Sequence, residues 1–194
     1  MASRNLLLAP VSLLALQAGV AQMHAADYFL KLPGIAGEST DDKHKGWIEL
    51  DSFSWGDSQS ASTATGGGGA GKVSFKPLVV TKPLDSTSVS LLRACASGQH
   101  FPTGTILEVY RKAGGQRKAG AELKLDQPEL LLTLSLTDAT LSQVEEAGVG
   151  GPAVESLSLV FERVTIGNPD LSTGAPDAGS IFETGWDLSS NTQE

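Results

Sequence analysis

Gly66-Gly67-Gly68-Gly69-Ala70-Gly71-Lys72-Val73 is the stretch on which the fold turns. Up to the lysine it matches a phosphate-cradling loop. Such a loop next needs a Ser or Thr hydroxyl for Mg²⁺, and it runs from a buried strand into a helix. Here Val73 takes the hydroxyl's place. Upstream lies the polar run Ser58-Gln59-Ser60-Ala61-Ser62-Thr63-Ala64-Thr65, with no apolar strand. Downstream, Val73, Phe75, Leu78, Val79 and Val80, interrupted by Pro77, read as strand rather than helix. The glycines therefore predict a long loop between two β-strands. With the nucleotide motif gone, the chain reads as β-rich rather than as an α/β enzyme.

Composition narrows the function classes. A length of 194 residues fits one domain. Hydrophobic residues at 40% can build a core, and 19% charged residues give an ordinary globular balance. The 22 Gly and 9 Pro favour many turns, and so an all-β chain over a helical bundle. The net charge of −8, with basic residues scattered apart from Arg111-Lys112 and Arg117-Lys118, leaves no basic footprint for nucleic acid. One cysteine, Cys95, excludes an internal disulfide and a Cys-rich zinc site. His24, His44 and His100 lie far apart and share no metal-ligand spacing. No cofactor or metal site is expected.

The first 22 residues stand apart from the patterned domain, residues 23–194. Arg4 precedes an apolar run from Leu6 to Leu16, and Gly19 and Ala21 suit a cut after Ala21. The run is too short to cross a bilayer as a helix, so no membrane insertion is expected. Met23 offers a second reading, in which residues 1–22 are an over-extended start. Both readings stay open at this point.

Along the domain, Tyr28, Leu30 and Leu32 alternate with Phe29 and Lys31 and stop at Pro33-Gly34, a strand. Glu38 to Lys45 reads as a charged, solvated loop. Trp47 to Trp55 reads as a strand closed by Gly56. Asp57 to Gly71 reads as a loop, and Lys72 to Lys82 as the next strand. The period then changes: Leu84, Leu91, Leu92 and Cys95 form one helical face, with Ser86 or Ser88 as N-cap and Gly98 as terminator. That face predicts Leu92 packed against the sheet. Strands follow at Thr105–Arg111, around Leu123 and Leu125, at Leu130–Thr137, from Leu157 through Ile166, and from Ile181 to Leu188. Seven or eight strands and one helix predict a mainly β fold, a compact β-barrel of antiparallel strands with one flanking α-helix.

Several motifs then fall into a known order. Asp27-Tyr28-Phe29-Leu30-Lys31, Gly37-Glu38-Ser39, Phe53-Ser54-Trp55-Gly56, the run Gly66 to Val73, Lys82-Pro83-Leu84-Asp85, Leu91 to Pro102, Tyr110 to Gly115 and Gly185-Trp186 closely resemble the haemolysin-coregulated protein (Hcp) family of type VI secretion systems. The resemblance spans about residues 26 to 190. It implies a non-enzymatic tube subunit: homohexameric rings, stacked inside a contractile sheath, assembled in the cytoplasm and expelled from the cell with a spike protein. It also implies effector proteins carried in the lumen. Ser54 is the lumen or cargo candidate, carried over from the matching motif. Lys43, His44 and Lys45 are candidates for the contact between subunits. Asp57, Ser58, Gln59, Gly66 and Gly71 are candidates for stacking.

Sharper chemistry finds no support in the residues. Ser97, His100 and Asp85 carry no nucleophile-elbow pattern, so no triad is read from them. Cys95, on an apolar helix face, reads as a small buried hydrophobe. Trp47, Phe53 and Trp55 read as core or interface anchors. The alternative from another class is a Sec-exported periplasmic or extracellular β-barrel binding module, with residues 1–21 as its signal and Trp47 and Trp55 lining a ligand site. For the glycine run, Lys72→Ala should leave assembly and secretion nearly unchanged, since Val73 supplies no Mg²⁺ ligand. ATP binding by calorimetry, abolished by Lys72→Ala, would overturn the loop reading.

Overall fold

In the computed structural model, which describes residues 26–59, 73–111, 128–148, 150–169 and 181–193, alternating patterns become strand almost throughout. The strands are β1 (Ala26–Lys31), β2 (Ile48–Leu50), β3 (Ser52–Ser54), β4 (Asp57–Gln59), β5 (Val73–Phe75), β6 (Leu78–Pro83), β7 (His100–Phe101) and β8 (Thr105–Arg111). They continue as β9 (Glu129–Thr137), β10 (Ala139–Ala147), β11 (Val154–Val160), β12 (Arg163–Pro169), β13 (Ile181–Asp187) and β14 (Thr192–Gln193). One helix, α1 (Ser88–Ser97), lies between β6 and β7. A seven-stranded sheet has the order β14-β13-β12-β9-β8-β1-β2, and a five-stranded sheet the order β3-β6-β11-β10-β7. The strands β4 and β5 pair only with each other. Every pairing between these strands is antiparallel.

The inward rows of the two sheets share one core. Leu30, Ile48, Leu107, Leu134, Leu136 and Val164 come from the larger sheet. Leu78, Val80, Leu141, Leu157 and Leu159 come from the smaller, and Leu91 and Ala94 from α1. The sheets stay open as ladders, yet the chain passes repeatedly from one to the other. It does so at Asp51 between β2 and β3, at Asp138 between β9 and β10, and at Phe161-Glu162 between β11 and β12. Each corner is tied to a neighbouring segment. Asp51 N–H donates to the Thr81 carbonyl, Asp138 N–H to that of Pro102, and Glu162 N–H to that of Thr137. Asp138 turns its corner at φ 50°, a left-handed conformation that Asp tolerates better than most residues. The result is a barrel-like antiparallel fold with one flanking helix.

The corners account for most differences from the sequence reading. Trp47 to Trp55 is two strands, because Asp51 sends Ile48 and Leu50 into one sheet and Phe53 into the other. The run from Leu157 to Ile166 is likewise two strands, split at Phe161-Glu162. Lys72 to Lys82 is divided by Lys76-Pro77 into β5 and β6, and Lys72 itself lies outside the described residues. Asp57 to Gln59, expected to start a loop, form β4. The strand β10 was not expected: a bulge between Leu141 and Gln143 breaks its alternation, and Gln143, Glu145 and Glu146 make it polar. Fourteen strands among the described residues therefore replace the seven or eight expected. The strand expected around Leu123 and Leu125 lies outside the described residues.

The helix exists but is rotated from its expected facing. Gly98 ends it at φ 62°, and the N–H groups of Gly98 and Gln99 donate to the carbonyls of Cys95 and Ala94. A side chain would strain that left-handed turn, so glycine is the residue that fits. The N-cap position is Thr87, not Ser86 or Ser88, and its side chain makes no cap bond. The buried face is Ser88, Leu91 and Ala94. Leu84 lies before the helix and is exposed, while Leu92 is 51% and Val89 78% exposed. Leu91→Ala should therefore cost about 2–5 kcal/mol of stability. Leu92→Ala should stay within about 0.5 kcal/mol, as surface changes do. Urea unfolding checks both, and equal losses at the two positions would contradict the facing.

Candidate assembly and cargo surfaces

The outward face of the five-stranded sheet has an unusual make-up. Register places Ser52 of β3 beside Thr81 of β6, Thr81 beside Ser156 of β11, and Ser156 beside Glu145 of β10. The next row across the same strands is Ser54, Val79, Ser158 and Gln143. Side-chain contacts confirm the shared face: the Ser52 and Thr81 hydroxyls lie 2.7 Å apart, and Gln143 Nε2 donates to Glu145 Oε2 at 3.2 Å. In a chain of net charge −8, these two rows hold a single carboxylate and no cation. What they present is hydroxyls, one amide and one small apolar side chain. Ser54, the lumen candidate, is exposed on this face.

The seven-stranded sheet is covered on its outer side, at β1 and β8, by the loop that the sequence marked as solvated. Phe29, Glu108 and Tyr110 share that outer face, since Phe29 pairs with Glu108 and Asp27 with Tyr110. The loop folds over them. Gly37 N–H donates to the Gly46 carbonyl and Ser39 N–H to the Trp47 carbonyl. A Cβ at Gly37 would overlap the Trp47 carbonyl, so the two arms of the loop can approach only at glycine. His44 is the plug, 3% exposed. Its ring stacks on Phe29 at 4.0 Å and meets the edges of Trp47 and Tyr110 at 5.0 and 4.9 Å. Its Nδ1 lies 2.6 Å from Asp41 Oδ1 and its Nε2 2.8 Å from Glu108 Oε2. Burial raises the Asp41 pKa, but hydrogen bonds from the His44 ring and from the Lys43 and His44 backbone outweigh it and hold the carboxyl below its ordinary value.

A third polar cluster fastens α1. Lys82 and Glu155 are fully buried and directly opposed on β6 and β11. Lys82 Nζ lies 3.1 Å from Glu155 Oε2 and 2.9 Å from Asp85 Oδ1, and donates to the Pro83 carbonyl at 2.7 Å. Ser88, the first residue of the helix, donates its hydroxyl to Glu155 Oε2 at 3.2 Å. Partial burial pushes the Asp85 carboxyl up, but hydrogen bonds from Thr87 and Lys82 and the lysine's charge bring it below its ordinary value. Lys82 heads a family motif in the sequence, but neither it nor Glu155 was expected in a buried pair. The signal was there: Lys82 continues the inward parity of Leu78 and Val80, and Glu155 that of Leu157 and Leu159. Opposite charges on two apolar parities point to a buried pair.

The other expected residues fall as follows. Lys43 and Lys45 are exposed on the His44 loop, whereas the His44 ring is engaged inside the protomer. Asp57, Ser58 and Gln59 are exposed on β4, half of the ribbon whose ladder joins neither of the larger sheets. Gly66 and Gly71 lie outside the described residues. Trp47 and Trp55 belong to different clusters, Trp47 with His44 and Trp55 with Phe75, so they do not line one ligand site. Cys95 is half-buried against the core rather than fully enclosed.

Comparison with known proteins places this architecture. A family model described as type VI secretion system effector, Hcp, matches residues 29–167. Protein hcp1 of Pseudomonas aeruginosa is 36% identical over 175 residues, covering 87% of this chain and 99% of that protein. A solved type six secretion system protein superposes with a TM-score of 0.72 at 32% identity, over 88% of this chain and all of the other. Hcp1 from Salmonella typhimurium superposes with a TM-score of 0.67 at 30% identity and the same coverage.

The helix fastening yields a test. Glu155→Ala leaves the Lys82 ammonium buried without its fully buried partner, and should cost about 3–5 kcal/mol. Replacing the pair together, Lys82→Met with Glu155→Leu, should recover most of that loss. Chemical unfolding of the single and double variants decides, and a single variant as stable as the parent would contradict the buried pair.

Proposed function

We propose, for a chain that belongs to the Hcp family of type VI secretion tube proteins, that it closes into hexameric rings whose inner wall is the hydroxyl face of the five-stranded sheet. The rings stack into a tube, the contractile sheath surrounds it, and the tube leaves the cytoplasm with the spike. Effectors ride against the face that carries Ser54. The chain acts as a structural subunit and performs no catalysis.

The observation that carries this reading is the composition of the two cross-strand rows. A conduit wall should hold its cargo weakly and let it go. Short hydroxyl side chains hydrogen-bond a polypeptide adaptably, and with one carboxylate in the two rows the wall offers little to bind a charged cargo tightly. The remaining surfaces fit their roles. Exposed Lys43 and Lys45 suit a contact with an acidic neighbour in a chain of net charge −8. The β4–β5 ribbon, paired to neither large sheet, suits the contact between stacked rings. Ring closure needs two different faces of each copy to meet, a heterologous contact. Both sheets end in short strands, β2 and β14 or β3 and β7, which limits uncontrolled edge pairing.

Sedimentation of the full chain over a concentration series tests the reading. The expected species is a hexamer of the 20.1 kDa protomer. Salt should favour its stacking, because like-charged copies repel over a Debye length of about 10 Å at about 0.1 M. Reversing Lys43 and Lys45 to Glu should weaken the ring or its stacking without unfolding the protomer. A monomer at every concentration would count against the tube.

A further inference from the structure

We propose that the loop from Ser39 to Trp47 is a proton-gated latch: it stays closed over Phe29 and Tyr110 while His44 carries a proton on both ring nitrogens, and it opens when one proton is lost. The argument is an inventory of donors. A neutral imidazole has one N–H donor and one acceptor nitrogen, and an ionised carboxylate only accepts. His44 faces a carboxylate at each nitrogen, Asp41 at 2.6 Å and Glu108 at 2.8 Å. The neutral ring would set a lone pair against one of them at hydrogen-bond distance. The doubly protonated ring donates to both.

The surroundings agree with the charged ring. Glu108 Oε2 also receives the Tyr110 hydroxyl at 3.1 Å, so it serves as a double acceptor. Asp41, held below its ordinary pKa, stays ionised and does not supply the proton instead. Burial and the charge of Glu108 push the Tyr110 phenol well above its usual value, so it remains a neutral donor at neutral and mildly alkaline pH. The ring lies flat on Phe29, 4° from parallel, and an aromatic face attracts a cation. The nearby cations sit over other rings: Lys43 Nζ is 5.7 Å from the Tyr110 centroid, and Lys31 Nζ of β1 is 5.7 Å from the Trp47 centroid.

The contact to Glu108 ties the loop to a strand 64 residues away in sequence, whereas the bond to Asp41 stays within the loop. With the remaining N–H kept on Nδ1, at the shorter contact to Asp41, losing the proton breaks the contact to Glu108, loosens the loop from the barrel and uncovers Phe29 and Tyr110, both now buried. The Asp41 contribution is present above the ordinary carboxylate value and is lost as pH falls through its lowered pKa. Because Lys43 and Lys45 ride on this loop, opening should also weaken the ring. That consequence rests on the tube reading above, whereas the opening itself is read within one protomer.

The test is hydrogen exchange by NMR on the full chain, comparing the Gly46 and Trp47 amides with Leu107 and Leu134 amides of the core strands. Protection of the loop amides, corrected for intrinsic rates, should fall about tenfold relative to the core between about pH 5 and about pH 8, the span in which a histidine changes charge. Glu108→Gln should remove that fall, because its side-chain amide can donate to a neutral ring nitrogen. The His44 ring ¹⁵N shifts of the parent protein provide a second reading that needs no variant, and both nitrogens should be protonated at the lower pH. Protection that holds constant across the range, or a neutral His44 ring in the closed loop at the lower pH, would overturn the latch. A ring that fails to weaken while the loop opens would overturn only the role of Lys43 and Lys45 between subunits.

Discussion

Everything in this molecule depends on two open sheets burying their inward rows against each other. Neither sheet could stand alone, since each has one apolar face that must be removed from water. Sharing a single core forces the chain to change sheets without leaving the packed layer. The corners at Asp51, Asp138 and Phe161-Glu162 do this, each with a backbone hydrogen bond that satisfies the donor freed from the ladder. A wall of this kind is stiff for a geometric reason. Strands on either side of a corner cannot slide separately, because each slip would turn an apolar row outward.

Polar groups inside this frame hold parts in position. The Lys82–Glu155 pair occupies two inward positions that hydrophobes could fill, and with Ser88 and Asp85 it sets where α1 starts. On the other side, His44 sets where the 39–47 loop lies. A further bond joins the two regions: Glu38, at the foot of the loop, accepts the Ser86 N–H just before the helix at 3.1 Å. Helix and loop therefore flank the barrel as tethered attachments. The outward face of the five-stranded sheet is left free of both, with its rows of hydroxyls.

Much of this was legible in the sequence, for physical reasons that also explain the failures. Thr105–Arg111 and Leu130–Thr137 alternate over most of their length, and both became strands. Gly98 announced the helix end because only its backbone suits that turn. The exposed Leu92 defeated the helical face because Leu91 lies beside it. With two adjacent leucines, periodicity alone did not decide between them, whereas the small residues Ser88 and Ala94 complete the true face. Corners were hard to read because the shift of apolar parity from Ile48 and Leu50 to Phe53 looks like imperfect alternation in one strand, whereas it marks the change of sheet at Asp51. The charged loop misled for a different reason. Its run of Asp and Lys implied solvent, while its one imidazole was enclosed by Phe29 and Tyr110, which are distant in sequence. Ser54 was proposed for the lumen through the family resemblance, and the Thr81, Ser156 and Ser158 that share its face emerged only once register was known.

The central claim is that the hydroxyl face looks into the bore of a ring. An image reconstruction of the assembled protein, at a resolution that traces strands, tests it most directly. The account predicts β3, β6, β11 and β10 around the axis, with Ser54, Thr81 and Ser158 pointing at it and α1 away from the bore. A ring in which those strands face outward or pack against the next copy, with another surface lining the bore, would contradict it.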